Sequence, residues 1–326
     1  MRILVCDVGP RDGLQNEAAV LEPGVRAELA RRLAAAGVPR VEVASFVDPA
    51  RVPQMAGAEE VVAALDPERL RNRLLQSAPL AVTGDEPDTA SNSLLQSPQA
   101  EWSGLVLNER GWERLAASGL ARANLTLAAT EEFNQRNGNR SLADALAGAE
   151  KLLAIADRPV TVTVSVAFGC PFEGRVDPGG VADLCARLAA AGADELVLAD
   201  TIGVATPGHV RRLIERIGSL GPTTGGHFHD TRHTAVANAL AAVEAGASVL
   251  DASVGGLGGC PFAPRATGNV ATEDVIYALG EEGVQTGIDL DSLIEVATWI
   301  GALLGKPLPG GVANAGGFPA PLSSDG

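Results

Sequence analysis

Eight times along this chain a short β-rich run gives way to a longer stretch whose apolar residues recur at helical spacing, and that alternation constrains the fold most. The runs are ILVCDV (3–8), RVEVASF (40–46), SGLVL (103–107), NLTLAAT (124–130), VTVTVSVAF (160–168), ELVLAD (195–200), GGHFHD (225–230) and SVLDASV (248–254). Helical patterns follow each, from EPGVRAELARRLAAAG after the first to TEDVIYALGEEG after the eighth. Strands separated by helical crossovers lie parallel, and a continuous series of eight such units favours a closed (β/α)8 TIM barrel over an open doubly wound sheet. Several helical stretches end in AAG or EAG, where glycine lets the chain leave a helix through a left-handed residue. An extra C-terminal helix is expected near 289–304.

Residues 1–305 are read as a single barrel catalytic domain. Two segments break its rhythm. The stretch 71–101, rich in Pro, Ser, Thr and Asn, is expected to be an inserted flexible loop after the second helix. The Gly- and Pro-rich residues 306–326 are expected to be a disordered tail.

Composition narrows the function. Of 326 residues 46% are hydrophobic but only 3% aromatic, an aliphatic balance that suits helices packed on buried parallel strands. A formal charge of -15 argues against a nucleic-acid partner, and an anionic ligand would need a local positive site. Cys6, Cys170, Cys185 and Cys260 are too widely spaced for a zinc ribbon or a disulfide scaffold, so reduced thiols in a cytoplasmic protein are expected. The chain enters a strand-like run at once, without the pattern of a signal peptide, and no run approaches the roughly 18 apolar residues of a membrane span.

In such a barrel the ligand site forms at the C-terminal ends of the strands. Polar residues gather there: Arg11 and Asp12 after the first run, Glu42 in the second, Asp200 and Thr201 after the sixth, and His227, His229 and Asp230 at the seventh. Three of the chain's four histidines fall in HFHDTRH (227–233). At i and i+2 on a strand, His227 and His229 point to one side and can share a cation with Asp12. A nitrogen, nitrogen, oxygen set completed by an amide or water oxygen suits six-coordinate Mg²⁺ or Mn²⁺ better than a closed zinc site.

Glu42 is costly in a β-branched strand unless it pairs with Arg11 or another arginine, or orients a metal ligand or water. Asp200 faces the same choice, its strand-end position favouring function, whereas Asp7 reads as a structural partner. GGLGGCPFAPRATGN (255–269) reads as a lid whose closure brings Cys260 and Asn269 toward the ligand. His209 is expected at the surface or in a cap. His233 could line the site, though a place outside it is the stronger expectation.

VGPRDGLQNE (8–17), DTIGVATPG (200–208), HFHDT (227–231) and GGLGGCPFAPRATGNVATED (255–274) together resemble the 3-hydroxy-3-methylglutaryl-CoA lyase family of the DRE-TIM metallolyase superfamily. The likeness spans nearly the whole barrel. It implies a divalent metal on Asp12, His227, His229 and Asn269, Arg11 beside the substrate carbonyl, Glu42 and Asp200 around the site, and Cys260 in the active-site loop. The implied reaction cleaves the hydroxymethylglutaryl thioester to acetyl-CoA and acetoacetate, in a homodimer or larger homo-oligomer. Metal coordination would acidify the tertiary hydroxyl, leaving Asp12, a histidine or bound water as the base. Arg11 would stabilise the departing enolate, and Cys260 could protonate it.

Some positions depart from the family pattern. Arg232, His233 and Thr234 follow HDT, Pro264 and Arg265 stand in the loop, and the third run ends LVLN. They bear on which acyl group is accepted rather than on the metal set. Two rival readings are a condensing enzyme of the isopropylmalate or homocitrate synthase type, which would be expected to carry further regions after the barrel, and a non-catalytic acyl-CoA-binding barrel.

Overall fold

The computed structural model describes residues 3–65, 100–259 and 268–319. Among these, eight strands run as β1 (Leu4–Asp7), β2 (Arg40–Ser45), β3 (Glu101–Val106), β4 (Arg122–Ala128), β5 (Val160–Ser165), β6 (Glu195–Asp200), β7 (Thr223–Phe228) and β8 (Val249–Ala252). All pair in parallel in chain order, and β1 closes against β8. The alternation therefore folds as the (β/α)8 barrel it implied.

The helices are α1 (Pro23–Ala35), α2 (Ala58–Leu65), α3 (Glu109–Ser118), α4 (Glu131–Gly138), α5 (Leu142–Ile155), α6 (Pro178–Ala190), α7 (Pro207–Ile217), α8 (Ala235–Glu244), α9 (Thr272–Glu281), α10 (Leu290–Leu304) and α11 (Gly311–Ala315). Their starts are chemically marked. Asp177 caps α6 by accepting from Gly179 and Gly180 N–H at 3.2 and 3.0 Å, and Asp289 caps α10 through Ser292 N–H at 2.8 Å. In α7 the buried residues Val210, Leu213, Ile214 and Ile217 recur at helical spacing and form the face turned to the barrel. Leu29 and Leu33 of α1 are fully buried, and each such side chain contributes about 1.5–3 kcal/mol. Among the described residues no helix is long and apolar enough to cross a membrane.

Inside the barrel the filling is polar, and nearly every group has a partner. Low in the barrel, Arg40 joins Glu195 at 2.9 Å and Glu101 at 2.7 Å, while Thr161 donates to Glu195 at 2.9 Å. One layer up, Asn124 donates to Glu42 at 2.9 Å and accepts from Thr163 at 3.0 Å. Buried charges are tolerated when paired and hydrogen-bonded in this way.

Two sequence expectations need adjustment. Residues 306–319 are not a disordered tail: Leu308 is buried, α11 forms, and Asp274 accepts from Gly311 and Val312 N–H at 3.0 and 2.7 Å. The glycines there permit close backbone packing that composition alone reads as disorder. Residues 320–326 lie outside the described residues, as do 71–99 of the expected insertion, whereas Glu101 opens β3. Helix α4 lies between β4 and α5, and Asn134 ties it to the end of β4 by exchanging hydrogen bonds with Ala128 at 2.8 and 3.1 Å.

Candidate metal centre

The chain leaves β1 through one wide helical turn, Gly9–Gly13, which carries Arg11 and Asp12 over the barrel mouth. Glycine is required at both ends of this turn. A Cβ at Gly9 would lie 2.8 Å from Asp7 Oδ1, and one at Gly13 2.7 Å from Ser253 Oγ. Asp7 anchors the turn from below, accepting from Gly9 N–H at 2.8 Å and Thr272 hydroxyl at 2.6 Å. Burial pushes its carboxyl up to about 7 against these donors. The structural role expected for Asp7 is the one seen.

Across the mouth, β7 places His227 and His229 on one side, with ring centroids 5.3 Å apart. Potential ligand atoms of Asp12, His227 and His229 all lie within 4.8 Å of one another. Asn269 joins them because residues 268–270 run alongside 228–230: Asp230 N–H donates to Gly268 O at 3.1 Å and Val270 N–H to Phe228 O at 2.9 Å. The Asn269 amide donates to Asp12 Oδ2 at 2.9 Å and Leu257 O at 3.1 Å. Its Oδ1 is buried without a protein partner, and so is Nδ1 of His229. Leaving buried acceptors unpaired costs on the order of 1–3 kcal/mol each. With the neighbouring carboxylate and second imidazole they form a donor set that fits one divalent cation.

The register explains a further partner that the sequence reading did not single out. His227 stands directly opposite Asp251 of β8, and its Nδ1 lies 3.2 Å from Asp251 Oδ2. That bond fixes the ring and turns the other nitrogen toward the centre. Burial alone would lower the His227 pKa, but the hydrogen bond and charge of Asp251 outweigh it and raise it. Burial and the adjacent His227 push His229 down to about 4, so it is neutral at physiological pH. Burial works against ionisation of Asp12, yet Arg11, both histidines and Asn269 hold its carboxyl at about 2.

Arg11 is gripped from both sides, by Glu42 at 2.5 and 3.1 Å and by Asp12 at 2.6 Å. Desolvation disfavours its charge, but the two carboxylates more than restore it. Glu42 therefore acts through Arg11, the salt-bridge alternative of the sequence reading. Asp200 corrects another expectation. Strand alternation turns Ala199 and Thr201 toward the cavity, while the Asp200 carboxylate accepts from Val204 and Ala205 N–H, both at 2.9 Å. The carboxylate shapes the following turn, and it is the backbone carbonyl of Asp200 that accepts from His229 N–H, at 3.3 Å. His233 is 87% exposed and sits outside the site. Cys260, Pro264 and Arg265 lie outside the described residues.

Arg11, Asp12, His227, His229 and Asp251 line one cavity of about 770 Å³. The exposed Arg51 and Arg110 line it too, and supply the local positive charge that an anionic ligand of this acidic chain needs.

Comparison with known proteins places these observations. Residues 2–300 match the model of the HMGL-like family. The chain is 43% identical over 321 residues to (R)-citramalyl-CoA lyase of Chloroflexus aurantiacus, covering 96% of this chain and 95% of that protein. It is 40% identical over 310 residues to the 3-hydroxy-3-isohexenylglutaryl-CoA/hydroxy-methylglutaryl-CoA lyase of Pseudomonas aeruginosa, covering 94% of each. A solved HMG-CoA lyase from Acinetobacter baumannii, in complex with coenzyme A and 3-methylmalate, superposes with a TM-score of 0.83 at 34% identity, covering 98% of both chains. With a family match that runs through every strand of the barrel and relatives alike over almost their full lengths, the chain belongs to the HMGL-like family of carbon–carbon lyases.

Proposed function

We propose that this enzyme cleaves 3-hydroxy-3-methylglutaryl-CoA, or a closely related 3-hydroxyacyl-CoA, to acetyl-CoA and acetoacetate or the corresponding oxo acid. The reading assigns catalysis to residues 1–305 as a single unit. The observation that carries it is the convergence of Asp12, His227 and His229 within 4.8 Å, beside Arg11 and inside one cavity.

Asp12, His227, His229 and Asn269 would hold one Mg²⁺ or Mn²⁺, which when bound supplies Lewis-acid polarisation of the substrate's oxygens. The protein's own residues do the rest. Asp251 orients His227, and the low pKa of His229 keeps its nitrogen available as a donor pair. Arg11, fixed by Glu42 and Asp12, presents a permanent positive charge where the acetyl thioester leaves as an enolate. Because two carboxylates already hold the guanidinium, it needs little reorganisation as that charge develops. Cys260 in the 255–269 loop is assigned the protonation of the enolate carbon. Arg51 and Arg110 are assigned to the phosphates of the CoA portion.

A shorter substrate has specific support, since one relative 43% identical to the chain is a citramalyl-CoA lyase. That thioester has one methylene fewer between the carbinol and its carboxylate, and would release pyruvate instead of acetoacetate. Both thioesters should be assayed with Mg²⁺ or Mn²⁺ and the products identified. Cleavage is expected for at least one, lost in His229→Ala and Arg11→Ala; wild-type rates in those variants would refute the assignment.

A further inference from the structure

The last described segment of the chain reaches back to the site loops through two contacts and is itself latched by a third. Just past α10, Gly305 turns the chain in a left-handed conformation at φ 65°, and Lys306 Nζ then meets both carboxylate oxygens of Glu17 at 2.8 and 2.6 Å. Glu17 closes the loop that begins with Arg11 and Asp12. Its N–H donates to Leu14 O at 3.1 Å, and its carbonyl accepts from the Gln54 amide at 3.0 Å. The side chain of Glu17 is 11% exposed, so the ion pair is anchored on the loop side.

The second contact is on the opposite loop. Leu308 is buried against Gly255, where the backbone at φ 66° leaves room for it, and Gly310 N–H donates to Gly255 O at 3.1 Å. Pro309 packs on Gly256. The next residue is Leu257, whose carbonyl accepts one of the two hydrogen bonds that aim the Asn269 amide. The other goes to Asp12.

The third contact latches the segment itself. Asp274, in the first turn of α9, accepts from Gly311 and Val312 N–H at 3.0 and 2.7 Å, and the Asn314 amide donates to Leu308 O at 3.2 Å and Gly310 O at 2.7 Å.

We infer that residues 306–312 form a strap that sets the separation of Asp12 and Asn269, with Lys306 and Leu308 as positioning residues for the cation site. The inference rests on the proposed reading of Asp12 and Asn269 as cation ligands. Of the four ligands only His227 lies within a strand: His229 directly follows β7, Asp12 is on the turn after β1, and Asn269 is on the segment beside 228–230. His227 and His229 are placed by the barrel, and the Asn269 backbone is paired alongside 228–230, but the aim of its amide depends on Leu257 O and on Asp12, which the 9–17 loop carries. Among the described residues the strap touches both loops, which also meet directly where the Asn16 amide donates to Gly259 O at 3.0 Å. Lys306 is half-exposed but Glu17 is buried, so losing the lysine charge alone leaves a buried carboxylate unpaired and lowers global stability as well as loosening the local geometry.

The test is Mn²⁺ binding to the full-length protein, read from the EPR signal of free Mn²⁺ and paired with urea unfolding midpoints. Lys306→Met keeps the apolar stem and removes the charge. It should weaken Mn²⁺ binding about five- to tenfold, the low end for an outer partner of a metal ligand, and lower the midpoint, because the buried Glu17 carboxylate is left unpaired. Lys306→Arg should restore binding to within about twofold. The Lys306→Met/Glu17→Gln double variant leaves no unpaired charge, so its midpoint should recover toward wild type while Mn²⁺ binding stays as weak as in Lys306→Met. His229→Ala serves as the control that loses binding. If Lys306→Met binds like wild type while His229→Ala does not, the strap has no positioning role and the cation site stands. If Lys306→Arg is as weak as Lys306→Met, or affinity in the double variant recovers along with the midpoint, the pair is merely structural and the inference is overturned. Wild-type affinity in His229→Ala would overturn the ligand assignment beneath it.

Discussion

Removing Asp251 probes how much of the site's metal affinity resides in a residue that touches no ligand but His227. Both side chains are buried, at 8% and 10% exposure, and their single contact is the 3.2 Å bond to Nδ1. In Asp251→Ala that nitrogen loses its partner and the ring loses its preferred rotation. A hydrogen bond to a charged group contributes about 1.5–3 kcal/mol. Spread over ligand orientation, that amounts to a loss of about 10–100-fold in Mn²⁺ affinity, the range found for outer partners of metal-bound histidines. Asp251→Asn retains a carbonyl acceptor and loses only the charge, about 1 kcal/mol or fivefold. The pH dependence carries an independent sign. A cation binds only the neutral imidazole, and Asp251 raises the pKa of His227, so wild-type affinity falls as pH drops through that raised value. Without Asp251 the cause of the raise is gone, and the fall moves to lower pH. The variants should therefore bind more weakly at neutral pH yet keep their plateau further into acid. Titrations of Mn²⁺ against pH by EPR or calorimetry measure both effects. An Asp251→Ala protein with wild-type affinity and an unmoved pH profile would show that the His227–Asp251 bond does not orient the ring.

Three other outcomes are expected. Glu42→Ala leaves the Arg11 guanidinium buried with Asp12 alone, which should lower stability by about 3–5 kcal/mol; Glu42→Gln should cost less, and equal urea midpoints for Glu42→Ala and wild type would contradict the pairing. Burial pushes the Glu273 carboxyl up to about 8, opposed by Gly255 N–H. A carboxyl raised in the folded state stabilises below its unfolded value of about 4.3, and that contribution is lost as pH rises through about 8. Wild type should thus lose stability between pH 5 and 9, on the order of a few kcal/mol, and Glu273→Gln should lose less, Asp7 retaining part of the slope. Arg110→Ala should raise KM for the acyl-CoA about fivefold with kcat little changed, and do nothing to a pantetheine thioester lacking the nucleotide phosphates. The same KM change with both substrates would remove Arg110 from phosphate binding.

Much of the candidate site was legible because its two halves obey short-range rules. His227 and His229 are two residues apart on a strand, so their common direction follows from the period of the chain, and Asp12 follows the first strand at the end where barrels carry their ligands. Asp251 was not legible in this way. It lies in an ordinary apolar run, SVLDASV, and only its register against β7 makes it the partner of His227. Asp200 misled for the same reason in reverse. Like His229 it sits where a strand gives way to its loop, but it has the other parity, and its carboxylate turns to the 204–205 backbone. Glu42 announced itself as a charge in a β-branched strand, whereas the choice of Arg11 over Arg40 as its partner depended on which layer of the barrel each reached.

By itself the sequence determined the closed parallel barrel, the end at which chemistry gathers and the residue types that could hold a cation. These follow from periodicities of two and 3.6 residues and from helix starts and stops, all of them local. Tertiary structure alone decided the pairing of His227 with Asp251, the turning away of Asp200, and the return of residues 306–312 to loops some 50 and 290 positions earlier. Such contacts depend on how strands shear and close into a ring, and a one-residue change in register reverses the face of every side chain concerned.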